Sequence, residues 1–126
     1  MEKIKSRILV VDDEEEVLNT LSKFLTLKGY DVYTAKDGLK AIEKVKEVRP
    51  HVVLLDIIMP GMSGIDTLKE IKKIDPRVGV IMATAVTDEE LAKRTIQLGA
   101  YDYITKPFDL NYIETVLLVK IIEMLG

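Results

Sequence analysis

Five short apolar runs alternate with five amphipathic segments along the chain, joined by connections of a few residues. That alternation constrains the fold more than any other feature. Parallel strands need long crossovers and helices supply them, so strict strand–helix alternation implies a parallel sheet with helices on both faces. Right-handed crossovers narrow this to the doubly wound kind. Arg7–Val11, Asp31–Ala35, Val52–Leu55, Val78–Ala83 and Tyr101–Thr105 read as strands. Between them, one helix face carries Val17, Leu21, Phe24 and Leu25, and the next Ala41, Ile42, Val45 and Val48. Ile65, Leu68 and Ile71 line the third helix. The fourth, Asp88 to Leu98, turns Leu91, Ala92, Thr95 and Ile96 inward, and the fifth runs to about Leu125. Asp37, Ser63 and Asp109 are placed to cap helices, and Gly29 and Gly99 to end them. No repeat, linker or low-complexity segment interrupts the pattern, so residues 1–126 are expected to form one domain.

Val52 to Leu55 has no polar side, the mark of a strand buried on both faces. It runs directly into Asp56, and Pro60-Gly61 forces a turn soon after. The other strands end in comparable groups: Asp12-Asp13 after the first, Thr84-Ala85 after the fourth, Lys106-Pro107 after the fifth. In open α/β sheets ligands bind outside this carboxyl edge. Each group has an ordinary account when taken singly. Asp56 can be a turn former or a cap, and Asp12 to Glu16 an acidic first turn that suits a helix dipole. Thr84 can be a plain strand end and Lys106-Pro107 a plain turn. Their joint occurrence at the ends of different strands is what singles them out.

Clustered carboxylates raise one another's pKa unless a cation neutralises them. Hard oxygen ligands with room for water favour Mg2+. The expected site therefore holds Mg2+ on Asp13 and Asp56, with Asp12 acting through water. Asp56 is expected to be a covalent phosphoryl acceptor, in chemistry that asks mainly for positioning and charge stabilisation. Lys106 supplies a cation to the phosphoryl oxygens, Thr84 a hydroxyl donor, and the small Ala85 lets the backbone approach closely.

Composition removes several alternatives. Hydrophobic residues at 48% and charged residues at 31% of the 126 positions support a packed core over disorder. A net charge of −3 without a basic stripe argues against nucleic acid as a direct partner. No apolar run reaches membrane-spanning length, and the basic first residues show no signal-peptide cleavage pattern. The absence of cysteine excludes thiolate sites, and the single His51 excludes multi-histidine ones.

From about Ile4 to Leu125 the chain resembles the receiver domain of two-component response regulators. The matching stretches are Ile8-Leu9-Val10-Val11-Asp12-Asp13, Leu54-Leu55-Asp56-Ile57-Ile58-Met59-Pro60-Gly61-Met62-Ser63-Gly64, Ala83-Thr84-Ala85, and Gly99-Ala100-Tyr101-Asp102-Tyr103-Ile104-Thr105-Lys106-Pro107-Phe108. The resemblance implies a flavodoxin-like five-stranded sheet in the order 2-1-3-4-5. It implies a cytoplasmic protein phosphorylated on Asp56 by a histidine kinase or phosphotransfer protein. Mg2+, or Mn2+ in its stead, would be held by Asp13, Asp56 and the backbone carbonyl of Ile58, with Asp12 through water. The Lys106–Pro107 peptide would be cis.

A signalling route is implied as well. Thr84 turns toward the phosphoryl group, Tyr103 moves inward, and the face formed by the fourth helix, fifth strand and fifth helix carries the change to a second copy or an output domain. The last helix has a core stripe of Leu110, Ile113, Leu117, Ile121 and Met124, and a second one of Leu118, Ile122 and Leu125. The second stripe is either a contact surface or a wider core. Kinase docking is expected around Glu16, Thr20 and Phe108. Apolar Ile58 and Val86 stand where the family tunes phosphoryl lifetime and are expected to slow hydrolysis. Two other readings fit less well. An aspartate-nucleophile phosphatase would need a second Asp where Ile58 stands. A flavin carrier would need a phosphate-cradling loop where Asp12-Asp13-Glu14 would repel phosphate.

Overall fold

The computed structural model describes residues 5–125, so residues 1–4 and Gly126, which the one-domain expectation includes, lie outside the described residues. The apolar run Val52–Leu55 is β3, and each of its residues is at most 1% exposed. It has β1 (Arg7–Val11) on one side and β4 (Gly79–Thr84) on the other. Strands β2 (Asp31–Ala35) and β5 (Asp102–Thr105) form the edges. All pairings are parallel and the order is β2-β1-β3-β4-β5, the flavodoxin-like (βα)5 arrangement.

Successive strand residues point to opposite faces, and two core layers result. Leu9, Val11, Val53, Leu55, Val80 and Met82 pack with α2 (Gly38–Val48), α3 (Gly64–Ile74) and α4 (Glu89–Gln97). Ile8, Val10, Val52, Leu54 and Ile81 pack with α1 (Glu15–Leu27) and α5 (Leu110–Leu125). Local chemistry sets the helix ends. Asp37 accepts from the Lys40 amide at 2.9 Å, Ser63 from the Asp66 amide at 3.2 Å, and Asp109 from the Asn111 amide at 3.0 Å. Gly29 closes α1 with φ +98°, a left-handed conformation that disfavours any side chain.

Several sequence-based expectations need correction. The fourth strand begins at Gly79, because the Val78 amide turns back to the Asp75 carbonyl at 3.3 Å. The fifth begins at Asp102, although the Tyr101 amide still donates to Val80 at 2.7 Å. In α1, Leu18 is buried alongside Leu21 and Leu25, while Val17 and Phe24 lie half-buried on the flank. In α4, Thr95 is the one buried residue, Leu91 and the capping Leu98 are half-buried against the core, and Ile96 is 46% exposed. Apolar identity marks a helix face only to within about one position, and neighbouring elements decide the rest.

The second apolar stripe of α5 is surface, not core: Leu118 is 41%, Ile122 59% and Leu125 83% exposed. Its direction follows from two tyrosines. Tyr30, just after α1, donates to Glu114, whereas Tyr101, before β5, donates to Glu123. Leu118 and Ile122 continue the Glu114 row at i, i+4 spacing. The stripe therefore faces the α1 flank of α5, away from the flank beside β5.

Candidate functional site

Sheet register assembles the acidic rim. Val11, the last residue of β1, lies opposite Leu55, the last of β3. The next residue of each strand is the aspartate, so Asp12 and Asp56 leave the sheet at one level. Their amides extend the ladder, Asp12 to the Ala35 carbonyl at 3.2 Å and Asp56 to the Val11 carbonyl at 3.1 Å. On the far side, the Lys106 amide donates to the Thr84 carbonyl at 2.8 Å, and the Lys106–Pro107 peptide is cis.

Asp12 and Asp56 are 2% and 4% exposed, and buried carboxylates need a partner. The Lys106 ammonium provides it, lying 2.8 Å from Asp12 Oδ2, 3.1 Å from Asp56 Oδ2 and 3.3 Å from Glu14 Oε1. The other carboxylate oxygens accept backbone N–H groups, Asp12 Oδ1 from Glu14 at 2.9 Å and Asp56 Oδ1 from Ile58 at 3.3 Å. Burial raises the Asp12 carboxyl above the ordinary value of 3.8, outweighing Lys106 and the Glu14 amide, which lower it. For Lys106, burial alone would lower the pKa, but the hydrogen bonds it donates to Asp12 and Asp56 prevail and hold it above 10.5.

Asp13 is exposed beside this pair, and oxygens of Asp12, Asp13 and Asp56 all lie within 4.8 Å of one another. This all-oxygen set fits a hard divalent cation. A cleft of about 210 Å³ opens onto it, lined by Asp13, Asp56, Ile58, Thr84, Ala85 and Lys106. Ile58 is 64% exposed at its mouth.

Thr84 is fully buried, and its Oγ1 accepts the Val86 amide at 3.4 Å. The Val86 carbonyl in turn accepts the Tyr103 hydroxyl at 2.6 Å, and Tyr103 packs on the core. Burial, then the charges of Asp88 and Asp56, raise the Tyr103 phenol above 10.0, so it remains a donor. Thr84 and Tyr103 are thus joined through the two backbone groups of Val86.

Sequence reasoning missed two participants. Glu14 contributes the third carboxylate on Lys106, and only its place in the acidic run pointed to it. Gly64 lets α3 come against the loop after Asp56, its amide donating to the Ile57 carbonyl at 2.8 Å. Around the corner from the rim, Glu16, Val17, Thr20, Leu21, Phe108 and Leu110 line a cavity of about 310 Å³ between α1 and α5. The residues expected to meet a kinase therefore share one surface.

A parallel five-stranded sheet with an acidic, lysine-bridged carboxyl edge is the design of a phosphoacceptor signalling domain. The chain belongs to the response regulator receiver domain family, which it matches over residues 8–118. It is similar to chemotaxis protein CheY of Thermotoga maritima, with 43% identity over 103 residues, 81% of this chain and 86% of that protein. It is also similar to regulatory protein AtoC of Escherichia coli, with 42% identity over 106 residues, 84% of this chain. The chain spans 23% of AtoC's length. A chain of the CheX–CheY–BeF3–Mg2+ complex from Borrelia burgdorferi superposes with a TM-score of 0.88 at 34% identity, over 92% of this chain and 89% of that one. This stretch is a two-component receiver domain, a signalling domain. Among the described residues, no helix is long and apolar enough to cross a membrane.

Proposed function

We propose that Asp56 accepts a phosphoryl group from a histidine kinase or phosphotransfer protein, and that residues 1–126 act as one receiver domain in the cytoplasm. The carrying observation is the pairing of buried Asp56 with Lys106 at 3.1 Å inside a cleft that also presents Asp13 and Thr84. Asp13, Asp56 and the Ile58 carbonyl would hold Mg2+ or Mn2+, with Asp12 through water. When bound, the ion supplies positive charge for the phosphoryl oxygens. An Asp56 carboxylate oxygen attacks phosphorus, the new O–P bond forms as the donor P–N bond breaks, and the departing imidazole takes a proton from water. Lys106, already oriented by Asp12 and Glu14, follows the charge onto the phosphoryl oxygens. The same chemistry with a small phosphodonor gives self-phosphorylation, and attack by water gives self-dephosphorylation.

The test is intact mass after incubation with Mg2+ and acetyl phosphate. One added phosphoryl group in wild type, lost with a chelator and absent in Asp56→Asn, is the expected result. Modification that persists in Asp56→Asn would refute the assignment.

Thr84 donating to the new phosphoryl group would withdraw the acceptor of the Val86 amide. Val86 also holds Tyr103, so the loop and strand β5 respond together, biasing the α4–β5–α5 face toward a partner or output domain. A ligand shifts this balance only by its differential affinity for the two states. The 310 Å³ cavity beside Glu16, Thr20 and Phe108 is the proposed kinase contact.

Ile58 is exposed at the cleft and half-buried Val86 follows its lining residue Ala85, and neither side chain gives an attacking water a hydrogen-bond partner. Replacing both by asparagine is expected to speed loss of the phosphoryl group about tenfold, the effect of lowering a barrier by about 1.4 kcal/mol. The decay of phosphorylated protein by mass or Phos-tag electrophoresis measures this, and an unchanged half-life would refute the shielding role.

A further inference from the structure

At the opposite edge of the sheet from Asp56, the strands begin beside a half-open cavity of about 640 Å³, within the size range of small-ligand sites. The chain strongly prefers lysine, with 14 lysines against four arginines. Three of those arginines, Arg7, Arg49 and Arg77, nevertheless line this one cavity, together with Lys5. Asp75 is the sole carboxylate in the lining, and its Oδ1 accepts the Arg77 backbone amide at 3.0 Å. Among the described residues none of the four cations forms an ion pair.

The Arg7 guanidinium is held in place. Arg7 Nε donates to the Val48 carbonyl and Nη2 to the Arg49 carbonyl, both at 2.8 Å, which leaves Nη1 without a protein partner among the described residues. Arg49 caps α2 with φ 49°, where glycine or asparagine is favoured, and its guanidinium finds only the Ile74 carbonyl at 3.5 Å. The carbonyl ends of α2 and α3 attract any cation. That accounts for positive charge here, and the two carbonyls on Arg7 account for its fork, but neither accounts for arginine at 49 and 77 in a lysine-rich chain. The guanidinium offers what lysine lacks, a planar fork matched to phosphate oxygens. The same lining includes apolar Ile121, Met124 and Leu125 from α5.

We propose that this cavity binds a nucleotide-sized ligand, its phosphate on Arg49 and Arg77 and its apolar or aromatic part against Ile121 and Met124. A half-open pocket suits a small molecule better than an extended peptide.

The test is calorimetric and amide-shift titration of the whole chain with ATP, inorganic tripolyphosphate and an oligoglutamate peptide, with chelator present to remove metal-bridged binding at the acidic rim. Saturable ATP binding is expected, with shifts around Ser6, His51 and Arg77 and none around Asp56. Affinity should fall at least about tenfold in the double variant Arg49→Gln/Arg77→Gln, whose exposed side chains are dispensable for the core. A matching urea midpoint for that variant confirms that the fold is retained. ATP should bind more tightly than tripolyphosphate. No saturable binding, undiminished binding in the folded double variant, tripolyphosphate equal to ATP, or preference for the peptide would each overturn the proposal.

Discussion

Replacing Lys106 with methionine is expected to lower stability at neutral pH by about 3 kcal/mol, the cost of leaving a buried charge without its partner. Lys106 is the one cation bonded to Asp12 and Asp56 among the described residues, and its side chain is only 15% exposed. Without it two buried carboxylates face each other. Asp12 already has a raised pKa because of burial. Losing the ammonium, which lowers it, raises it further. A carboxyl raised in the folded state binds its proton more tightly there than in the unfolded chain. Stability is therefore fully retained below the unfolded value of 3.8 and is lost as pH rises through the folded value. The lysine works in the complementary range: its contribution is fully present below its unfolded value of 10.5 and lost only as pH rises through the raised folded value. The variant's deficit should thus be large at neutral pH and shrink in mild acid. Adding Mg2+ should recover part of it by restoring positive charge at the same carboxylates. Urea denaturation at two pH values, with and without Mg2+, measures all three effects. A deficit independent of pH and Mg2+ would show that Lys106 matters through packing alone. Phosphorylation of Asp56 should also slow by about 10²-fold or more, the typical loss on removing one preorganised charge-stabilising donor.

The second large effect comes from a glycine next to the site. A β-carbon on Gly64 would fall on the Asp56 carbonyl oxygen and lie 2.6 Å from Ile57 Cα. Both neighbours are backbone, so no side chain can swing aside. Either α3 retreats or the loop after Asp56 moves. Gly64→Ala is expected to cost about 3 kcal/mol, the upper end for overpacking, and to lower Tm by about 10 °C. Phosphorylation should slow as well, because the shift displaces the acceptor itself. Gly61→Ala is the informative contrast. A β-carbon there meets nothing within 4 Å, and only its φ of +77° opposes the change, so its cost should stay near 1 kcal/mol. Equal thermal shifts for the two variants would refute the close-approach account.

Much of the sheet was legible before any coordinates. Four successive apolar residues in Val52–Leu55 mean burial on both faces, and only a central parallel strand provides that. The strand ends were legible for a related reason. A charged residue directly after a buried strand has to leave the sheet, so Asp12, Asp56 and Lys106 could be assigned to one edge. Helix caps such as Asp37 and Ser63 were readable because their chemistry is local. Boundaries at Val78 and Tyr101 were not, since apolar character continues smoothly past the point where pairing begins. The inward side of α4 was missed at Ile96 because a nine-residue helix with one fully buried side chain carries too little periodic signal.

The sequence by itself determined the order of elements, the central strand and the chemistry available at the carboxyl edge. These follow from periodicity and residue type, which a linear pattern carries. Only the tertiary structure decided which groups meet. Register brought Asp12 and Asp56 to one level, and the end of β5, paired to Thr84, placed Lys106 between them and Glu14. The backbone of Val86 joined Thr84 to Tyr103 through atoms that no residue identity reports. The surplus apolar stripe of α5 proved to be solvent-exposed, because helix rotation is set by neighbours. The gathering of Arg7, Arg49 and Arg77, distant in sequence, arises because β1, the end of α2 and the turn before β4 reach the same end of a parallel sheet.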